Sequence, residues 1–225
     1  MEPNKADATE LQRLYGERFS GRTEYRGRVW EILVASFFQQ FVPPSSVVLD
    51  LGAGYCEFIN NVKASRRIAL DLNPDTRVRA GAGVEVILHD CSTAWPVEAG
   101  SLDVVFTSNF LEHLYTKDVV AATLRQAFLA LRPGGQLLCV GPNIRYVKGA
   151  YWDYFDHHTA LSERSIAEVM ELAGFRVEKS VDRFLPYSMS EGRERPLALL
   201  KLYLKLTPVW PIFGKQFFVI GRKPT

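Results

Sequence analysis

The chain has 225 residues, of which 47% are hydrophobic and 23% charged, a balance that predicts one globular domain with a sizeable core. A net charge of +2 gives no indication of nucleic-acid binding. The three cysteines lie far apart without Cys-x-x-Cys spacing, so we expect neither a disulfide framework nor a zinc site. No secretory leader or membrane-spanning stretch is visible, so we expect a cytoplasmic protein.

The N-terminal part, residues 1–44, predicts a helical cap. Two segments, 9–19 and 23–42, carry apolar side chains at helical spacing, and Pro43 with Pro44 ends the second. Three aromatic side chains in this cap could cover a ligand site or pack in the core, and the sequence leaves both open: Tyr15, Phe19 and Tyr25.

Beyond residue 44 the pattern changes to short apolar runs that alternate with helical stretches. Continuous apolar runs are typical of strands buried on both faces of a parallel sheet, and their alternation with helices predicts βαβ units. Another helix is predicted over 161–175, with Ser162 as N-cap and Gly174 after its end. We therefore predict one α/β domain, with a core over 45–184, an insertion over 185–214 and a last strand over 215–225.

The insertion has an ambiguous pattern between residues 196 and 216. Its leucines and lysines fit both helical and strand spacing, and Pro196 as the first helical residue favours a helix. Three interpretations remain open: a helix that caps the core, a dimer face, or a peripheral membrane contact through 196–213. The sequence is compatible with a monomer and with a homodimer.

Polar residues end three of the predicted strands. Asp50 closes the first run and is followed by Gly52 and Gly54, while Asp71 and Asp90 end the next two. A glycine turn between a strand and a helix brings backbone N–H groups close to a ligand, and the carboxyl ends of parallel strands share one crevice. The pattern predicts a nucleotide site, although a glycine turn alone can be purely structural. Glu57 occupies the place of the third glycine of dinucleotide-binding loops and counts against NAD.

The chain resembles class I S-adenosylmethionine-dependent methyltransferases, most closely their small-molecule branch. The resemblance covers residues 46–143 and rests on five motifs in matching order: VLDLGAGYCEF (48–58), ALDLNP (69–74), LHDCS (88–92), LDVVFTSNFLEHL (102–114) and LRPGGQLLCVGPN (131–143). It implies a Rossmann-like, seven-stranded, mostly parallel sheet with helices on both faces and an antiparallel final strand. It also implies S-adenosylmethionine as methyl donor and S-adenosylhomocysteine as product.

The resemblance assigns cofactor-binding roles to the strand ends. The methionine part would be held by Asp50, Gly52, Ala53 and Gly54, and the ribose by Asp71 with Leu72. Asp90 and Cys91 would frame the adenine. The methyl-donor side would be lined by Ser108, Asn109 and Phe110.

A hydroxyl acceptor usually needs a general base, and histidine is suited to that role near neutral pH. His113, His157 and His158 are the catalytic candidates, each with a structural alternative, whereas His89 is expected to be structural. In quinone-biosynthesis relatives a Glu-His pair such as Glu112–His113 can help to bind a divalent metal. Asn109 stands where another acid would be expected, so we predict no metal.

The expected reaction is O-methylation of a small-molecule acceptor, a sugar or a glycolipid intermediate. This expectation rests on the resemblance and on aromatic residues around the two histidines in segment 151–158. The alternatives are N- or C-methylation of a quinone, an amine or a protein side chain, a cofactor-binding subunit without activity, and an NAD-dependent enzyme.

Overall fold

The computed structural model describes residues 23–187 and 194–225, and seven strands within them form one sheet. The strands are β1 (Val47–Leu51), β2 (Arg66–Asp71), β3 (Val84–Leu88), β4 (Leu102–Ser108), β5 (Leu131–Pro142), β6 (Arg176–Val181) and β7 (Gln216–Arg222). Their order is β3-β2-β1-β4-β5-β7-β6. Neighbours among β1 to β5 pair in parallel, and β7 runs antiparallel to both β5 and β6. The predicted mostly parallel sheet with an antiparallel final strand is confirmed.

Helices cover both faces of this sheet. They are α1 (Thr23–Ser36), α2 (Glu57–Asn61), α3 (Thr76–Arg79), α4 (Lys117–Ala130), α5 (Ile144–Val147), α6 (Glu163–Leu172), α7 (Leu197–Lys205) and α8 (Trp210–Phe213). Short 3₁₀ turns lie at Phe38–Phe41, Leu111–His113, Lys148–Asp153 and Thr207–Val209. The predicted helix over 9–19, with Tyr15 and Phe19, lies outside the described residues.

Local sequence signals explain where α6 begins and ends. The Ser162 hydroxyl accepts a hydrogen bond from the backbone N–H of Ser165, and the Ser165 hydroxyl accepts one from the N–H of Ser162. These two bonds satisfy donors that the first turn of a helix leaves without partners. Gly174 follows the helix with φ +104°, a backbone conformation that side chains rarely adopt. Both predicted ends are confirmed.

An aromatic core joins α1 to the segment between β6 and β7. The ring of Phe37 lies 4.6 Å from that of Phe184, 5.4 Å from Phe218 and 5.7 Å from Trp210. Leu204 of α7 is also buried here. This packing confirms the core-capping interpretation for the inner face of the segment. Pro196 is the N-cap of α7 rather than its first helical residue, because its extended ψ of 124° leaves the backbone outside the helix.

Two further expectations concern cysteines and membranes. Cys56, Cys91 and Cys139 are all free and buried, in agreement with the absence of a disulfide framework. Burial raises the pKa of the Cys91 thiol to about 11, which favours its protonated form. Within the described parts of the chain, no helix has the length and apolar character needed to cross a bilayer.

Candidate functional site

The carboxyl ends of β1 and β4 meet at Gly52. This residue has φ +68°, and a Cβ atom added to it would lie 2.2 Å from Cγ of Phe110. Only glycine therefore allows the Phe110 ring, just beyond β4, to lie against the loop after β1. Gly54 has φ +50°, and a Cβ atom there would meet nothing within 4 Å. The loop is thus covered at Gly52 and open beside Gly54.

Asp71, at the end of β2, ties this loop to the neighbouring strand. One carboxylate oxygen accepts a hydrogen bond of 2.7 Å from the backbone N–H of Gly54, and the other accepts one of 2.8 Å from Asn73. Burial raises the pKa of Asp71, while the hydrogen bonds from these amides oppose the shift. Asp71 therefore holds the loop over residues 52–56, which we call the glycine loop. Each of its carboxylate oxygens retains a lone pair that can accept a hydrogen bond from a ligand hydroxyl.

Buried carboxyl groups flank the glycine loop. Asp50 is 4% exposed, and burial together with the charge of Asp71 raises its pKa well above the ordinary value. Glu57 forms a 2.8 Å ion pair with Arg26 of α1, yet burial still raises its pKa. The charges of Arg26 and Arg79 both act on Glu57, and a cationic ligand would stabilise the charged forms of all three carboxyl groups.

The ends of β2 and β3 carry the other predicted cofactor residues. The Asp90 carboxylate accepts hydrogen bonds from the backbone N–H and the hydroxyl of Ser92, at 2.9 and 2.7 Å. The thiol of Cys91 is buried and lies 3.5 Å from the hydroxyl of Thr123 on α4. Its side chain therefore points into the core and leaves the backbone for the predicted adenine contact. Leu72 is 46% exposed at the end of β2, where a bound ribose could cover it.

Ser108 ends β4, and Asn109 and Phe110 follow it directly. The Asn109 side-chain amide donates to the Ser108 hydroxyl at 3.0 Å, and its backbone has φ +50°, which asparagine tolerates better than most residues. The backbone N–H of Asn109 donates to the carbonyl of Val140 in β5. The predicted cofactor residues of β1 to β4 thus lie along one edge of the sheet.

A second group of polar side chains follows β4. Nδ1 of His113 lies 3.2 Å from a carboxylate oxygen of Asp156 and 2.9 Å from its backbone carbonyl. Burial lowers the pKa of His113, but the hydrogen bond with Asp156 and the charge of Glu112 outweigh it, so the net shift is upward. Burial raises the pKa of Glu112 to about 7, against the opposing effect of His113.

The catalytic candidates His157 and His158 differ in their surroundings. His157 is buried, and its ring centre lies 4.8 Å from that of Tyr151 and 5.0 Å from that of His113. His158 is exposed, its ring lies 4.4 Å from that of Tyr115, and partial burial lowers its pKa. The structure thus brings His113 and His157 together and leaves His158 at the rim.

Glu112, His113 and His157 form a group that could hold a metal ion, with one potential ligand atom each and all three atoms within 4.8 Å of one another. Imidazole and carboxylate suit several divalent metals. Sequence reasoning considered only the position of Asn109 for a further ligand and missed His157, because that residue reaches Glu112 from a distant loop. The prediction that no metal binds remains a prediction.

Sequence reasoning also missed the partners that hold these groups. Asp156 was visible only as an acid near the histidines, and Arg26 was not identified as the partner of Glu57. The loop that carries Asp156 is anchored by the backbone N–H groups of His158 and Thr159, which donate to the carbonyl of Glu112. No local pattern reveals such pairings. His89, expected to be structural, hydrogen-bonds through Nε2 to the carbonyl of Ala94.

Known proteins share this architecture. A protein of Mycolicibacterium smegmatis described as a probable S-adenosylmethionine-dependent methyltransferase is 33% identical over 145 residues, which is 62% of this chain and 55% of that protein. The chain thus spans about half the length of that relative. An S-adenosylmethionine-dependent methyltransferase from Archaeoglobus fulgidus has a TM-score of 0.68 at 19% identity and covers 94% of this chain and 99% of its own.

The N-methyltransferase NodS from Bradyrhizobium japonicum, solved with S-adenosylhomocysteine, has a TM-score of 0.61 at 15% identity and covers 92% of this chain and 91% of its own. At these identities the solved structures show a shared fold. The family model described as a methyltransferase domain matches residues 22–180, which include the glycine loop, Asp71 and the histidine group. The chain therefore belongs to the methyltransferase-domain family, and its fold is that of the S-adenosylmethionine-dependent class.

Proposed function

We propose that the protein transfers a methyl group from S-adenosylmethionine to a hydroxyl of a small-molecule acceptor, a sugar or a glycolipid intermediate. The single observation that carries the choice of a hydroxyl is the pair formed by His113 and Asp156, at 3.2 Å, beside the end of β4. A hydroxyl becomes a good nucleophile only as its proton is removed, and this pair has the form of a general base.

The cofactor fits the charge and the space at the glycine loop. S-adenosylmethionine carries a sulfonium and an ammonium group, and the carboxyl groups of Asp50, Asp71 and Glu57 lie next to the glycine loop, where Arg26 pairs with Glu57. Gly54 leaves open space where a side chain would stand. When bound, the cofactor supplies an activated methyl group. The residues of the chain then have to bind it, orient it and exclude water.

The hydrogen-bond pattern of His113 determines which of its ring nitrogens can accept a proton. Both contacts to Asp156, from its carbonyl and its carboxylate, are made by Nδ1. Two oxygen atoms that accept hydrogen bonds from Nδ1 favour the tautomer that carries the hydrogen there. Nε2 is then free to take the proton from the hydroxyl group that is to be methylated. The hydrogen bond with Asp156 and the charge of Glu112, which raise the pKa of His113, also stabilise the imidazolium that results.

The loop around these histidines supports a sugar as the acceptor. Trp152 is 55% exposed and Phe155 is 95% exposed, and Tyr154 lies beside His157 with 5.2 Å between ring centres. Aromatic faces combined with carboxylates suit the apolar faces and hydroxyl groups of a pyranose ring. The acidic Asp153 is exposed in the same loop.

Thermal unfolding of the full chain with separate ligands tests the donor site. S-adenosylmethionine and S-adenosylhomocysteine, each at about 100 times the dissociation constant, should add about 2.7 kcal/mol and raise Tm by roughly 5–10 °C. NAD should leave Tm unchanged. A shift with NAD alone, or with none of the three, would remove the donor assignment.

Formation of S-adenosylhomocysteine with a panel of acceptors tests the second half of the proposal. Glycosides and glycolipids with free hydroxyl groups should be methylated, whereas matched quinones, amines and peptides should not. Turnover confined to the amines or quinones would transfer the assignment to N- or C-methylation. Cofactor binding without turnover on any acceptor class would favour a non-catalytic subunit.

A further inference from the structure

The outer face of α7 carries an apolar stripe that the core does not cover. Leu199 and Leu202 are 54% and 52% exposed, and Leu206, directly after the helix, is 43% exposed. At 3.6 residues per turn these three residues share one side of the helix, roughly opposite the buried Leu204. Ile212 and Phe213, in α8, add side chains that are 64% and 57% exposed. We call residues 195–215 the apolar–basic segment.

The charges of this segment are all of one sign. From Arg195 to Thr225 the chain contains no aspartate or glutamate, and the apolar–basic segment carries Arg195, Lys201, Lys205 and Lys215. All four are exposed. Lys201 and Lys205 lie one turn apart on α7, on a flank of the leucine stripe. Leucines flanked by lysines are complementary to a surface that has an apolar interior beneath an outer layer of negatively charged groups.

The segment lies at the same edge of the sheet as the candidate site. The side chain of Arg183 donates to the carbonyls of Ile212 and Gly214, both at 3.0 Å. The carbonyl of Lys215 accepts from the backbone N–H of Asn143, the residue directly after β5. Contact through this segment would therefore bring the carboxyl edge of the sheet to the contacted surface.

We propose that the apolar–basic segment docks the protein onto an anionic phospholipid surface. Exposed leucine and phenylalanine side chains enter the boundary between headgroups and acyl chains, while the lysine stems lie along the apolar surface and their ammonium groups contact lipid phosphates. A second copy of the chain fits this face poorly, because a two-fold contact would bring the lysines of both copies together without a facing acid from residues 195–215. The proposal depends on neither the methyl acceptor nor catalysis.

The groove between α7 and α1 does not alter this charge pattern. Arg28 and Glu31 of α1 line it together with Lys201. The acid and the arginine offset each other, so the lysines of α7 still set the sign of the charge on this face. The same groove has Leu197 and Ala198 along its other wall.

Vesicle flotation with the full chain tests the proposal. The protein should float with vesicles of phosphatidylcholine and phosphatidylglycerol in equal parts, and much less with phosphatidylcholine alone, and added salt should weaken the binding. Each lysine near an anionic surface contributes about a fivefold factor in affinity, so Lys201→Gln with Lys205→Gln should weaken binding by about 25-fold. Leu199→Ser with Leu202→Ser should also reduce flotation at low salt.

Matched controls separate docking from general surface effects. Leu129 on α4 is 54% exposed, as is Leu199, so Leu129→Ser removes an equally exposed leucine elsewhere. Lys117→Gln removes an exposed lysine at the start of α4. Both controls should float as the unchanged protein does, and every variant should keep its Tm.

Three outcomes would overturn the proposal. One is equal binding to neutral and anionic vesicles, and another is unchanged flotation of both paired variants. The third is an absence of flotation together with a dimer that Leu199→Ser and Leu202→Ser dissociate, because a second copy would then cover the face. Methyl transfer is not a readout in any of these experiments, so their failure leaves the proposed function untouched.

Discussion

The proposed donor side and the proposed acceptor side of the site are built in different ways. On the donor side, the loop after β1 is held by Asp71 at the end of the adjacent strand through a backbone hydrogen bond of 2.7 Å to Gly54. On the acceptor side, the turn after β4 is held by a loop 43 residues further along, through His113 and Asp156. The donor side depends on backbone amides placed by the sheet, whereas the acceptor side depends on side chains placed by loops. The sheet can therefore keep one cofactor geometry while the loops define an acceptor.

Removal of the proposed base should have the largest effect, and only on the acceptor side. His113→Asn should lower kcat by about 100- to 10,000-fold, the usual contribution of a general base, with no change in the Tm shift caused by S-adenosylhomocysteine. His89→Asn is the matched control, because its ring bonds to Ala94 outside this cluster, and it should keep most of the activity. Equal activity of the His113 variant and the unchanged protein would remove His113 as the base.

The pH dependence of stability should reflect the same cluster. A buried acid with a raised pKa binds its proton more tightly in the folded than in the unfolded chain, so the free energy of unfolding falls as pH rises above the unfolded value. For Glu112 the fall lies between pH 4.5 and about 7, with an upper bound of about 3 kcal/mol. His113, whose pKa is also raised, loses its stabilising contribution in the same direction as pH rises above 6.5.

Measurement of Tm from pH 5 to pH 8 in the unchanged chain and in Glu112→Gln checks this prediction. Glutamine cannot ionise, so the variant should show a shallower decline. His89→Asn serves as the control here as well, because its ring lies outside the group formed by Glu112, His113 and Asp156. Parallel curves for Glu112→Gln and the unchanged chain would contradict the raised pKa of Glu112.

Two glycines on the donor side should respond differently to the same substitution. Gly52→Ala places a Cβ atom 2.2 Å from the Phe110 ring at φ +68°, and we expect a loss of about 2–4 kcal/mol. Gly54→Ala faces open space at φ +50°, and only backbone strain of about 1 kcal/mol should remain. Chemical denaturation of both variants measures the difference.

A double substitution identifies the cause. Phe110→Ala removes the ring that the new methyl group would strike, so it should cost less in the background of Gly52→Ala than in the unchanged chain. Additive losses would mean that the cost at Gly52 comes from the backbone alone.

The parts of the structure that depend on interactions between residues close in sequence could be predicted, whereas those that depend on interactions between distant elements could not. The strands, the glycine loop and the start of α6 at Ser162 depend on neighbours within a few residues, and all three could be predicted from the sequence. The orientation of Cys91 could not, because Thr123 of α4 determines it from another element. His113, Asp156 and His157 were each visible as candidates or neighbours. Their arrangement was not, since it depends on how the loop before α6 packs on the turn after β4.

The outer face of α7 shows a different limit. Its leucines and lysines were readable in the sequence, and three interpretations were open for them. The structure separates the residues that cap the core, such as Leu204, from those that remain exposed, such as Leu199. The hydrophobicity of a side chain favours its burial, but only the packing in the folded protein shows whether other residues of the same chain bury it.

The chain leaves the sheet after β6 and returns to β7 at nearly the same place. Phe184 donates from its backbone N–H to the carbonyl of Gln216 at 2.6 Å, and Lys215 donates to that of Leu185 at 2.7 Å. The intervening residues thus form an insertion whose two ends are hydrogen-bonded to each other. Additional residues in such an insertion add little to the entropy cost of bringing its two ends together. The exposed parts of this segment can therefore change in length and chemistry while the buried Leu204 and Trp210 keep their packing and the strand register stays as it is.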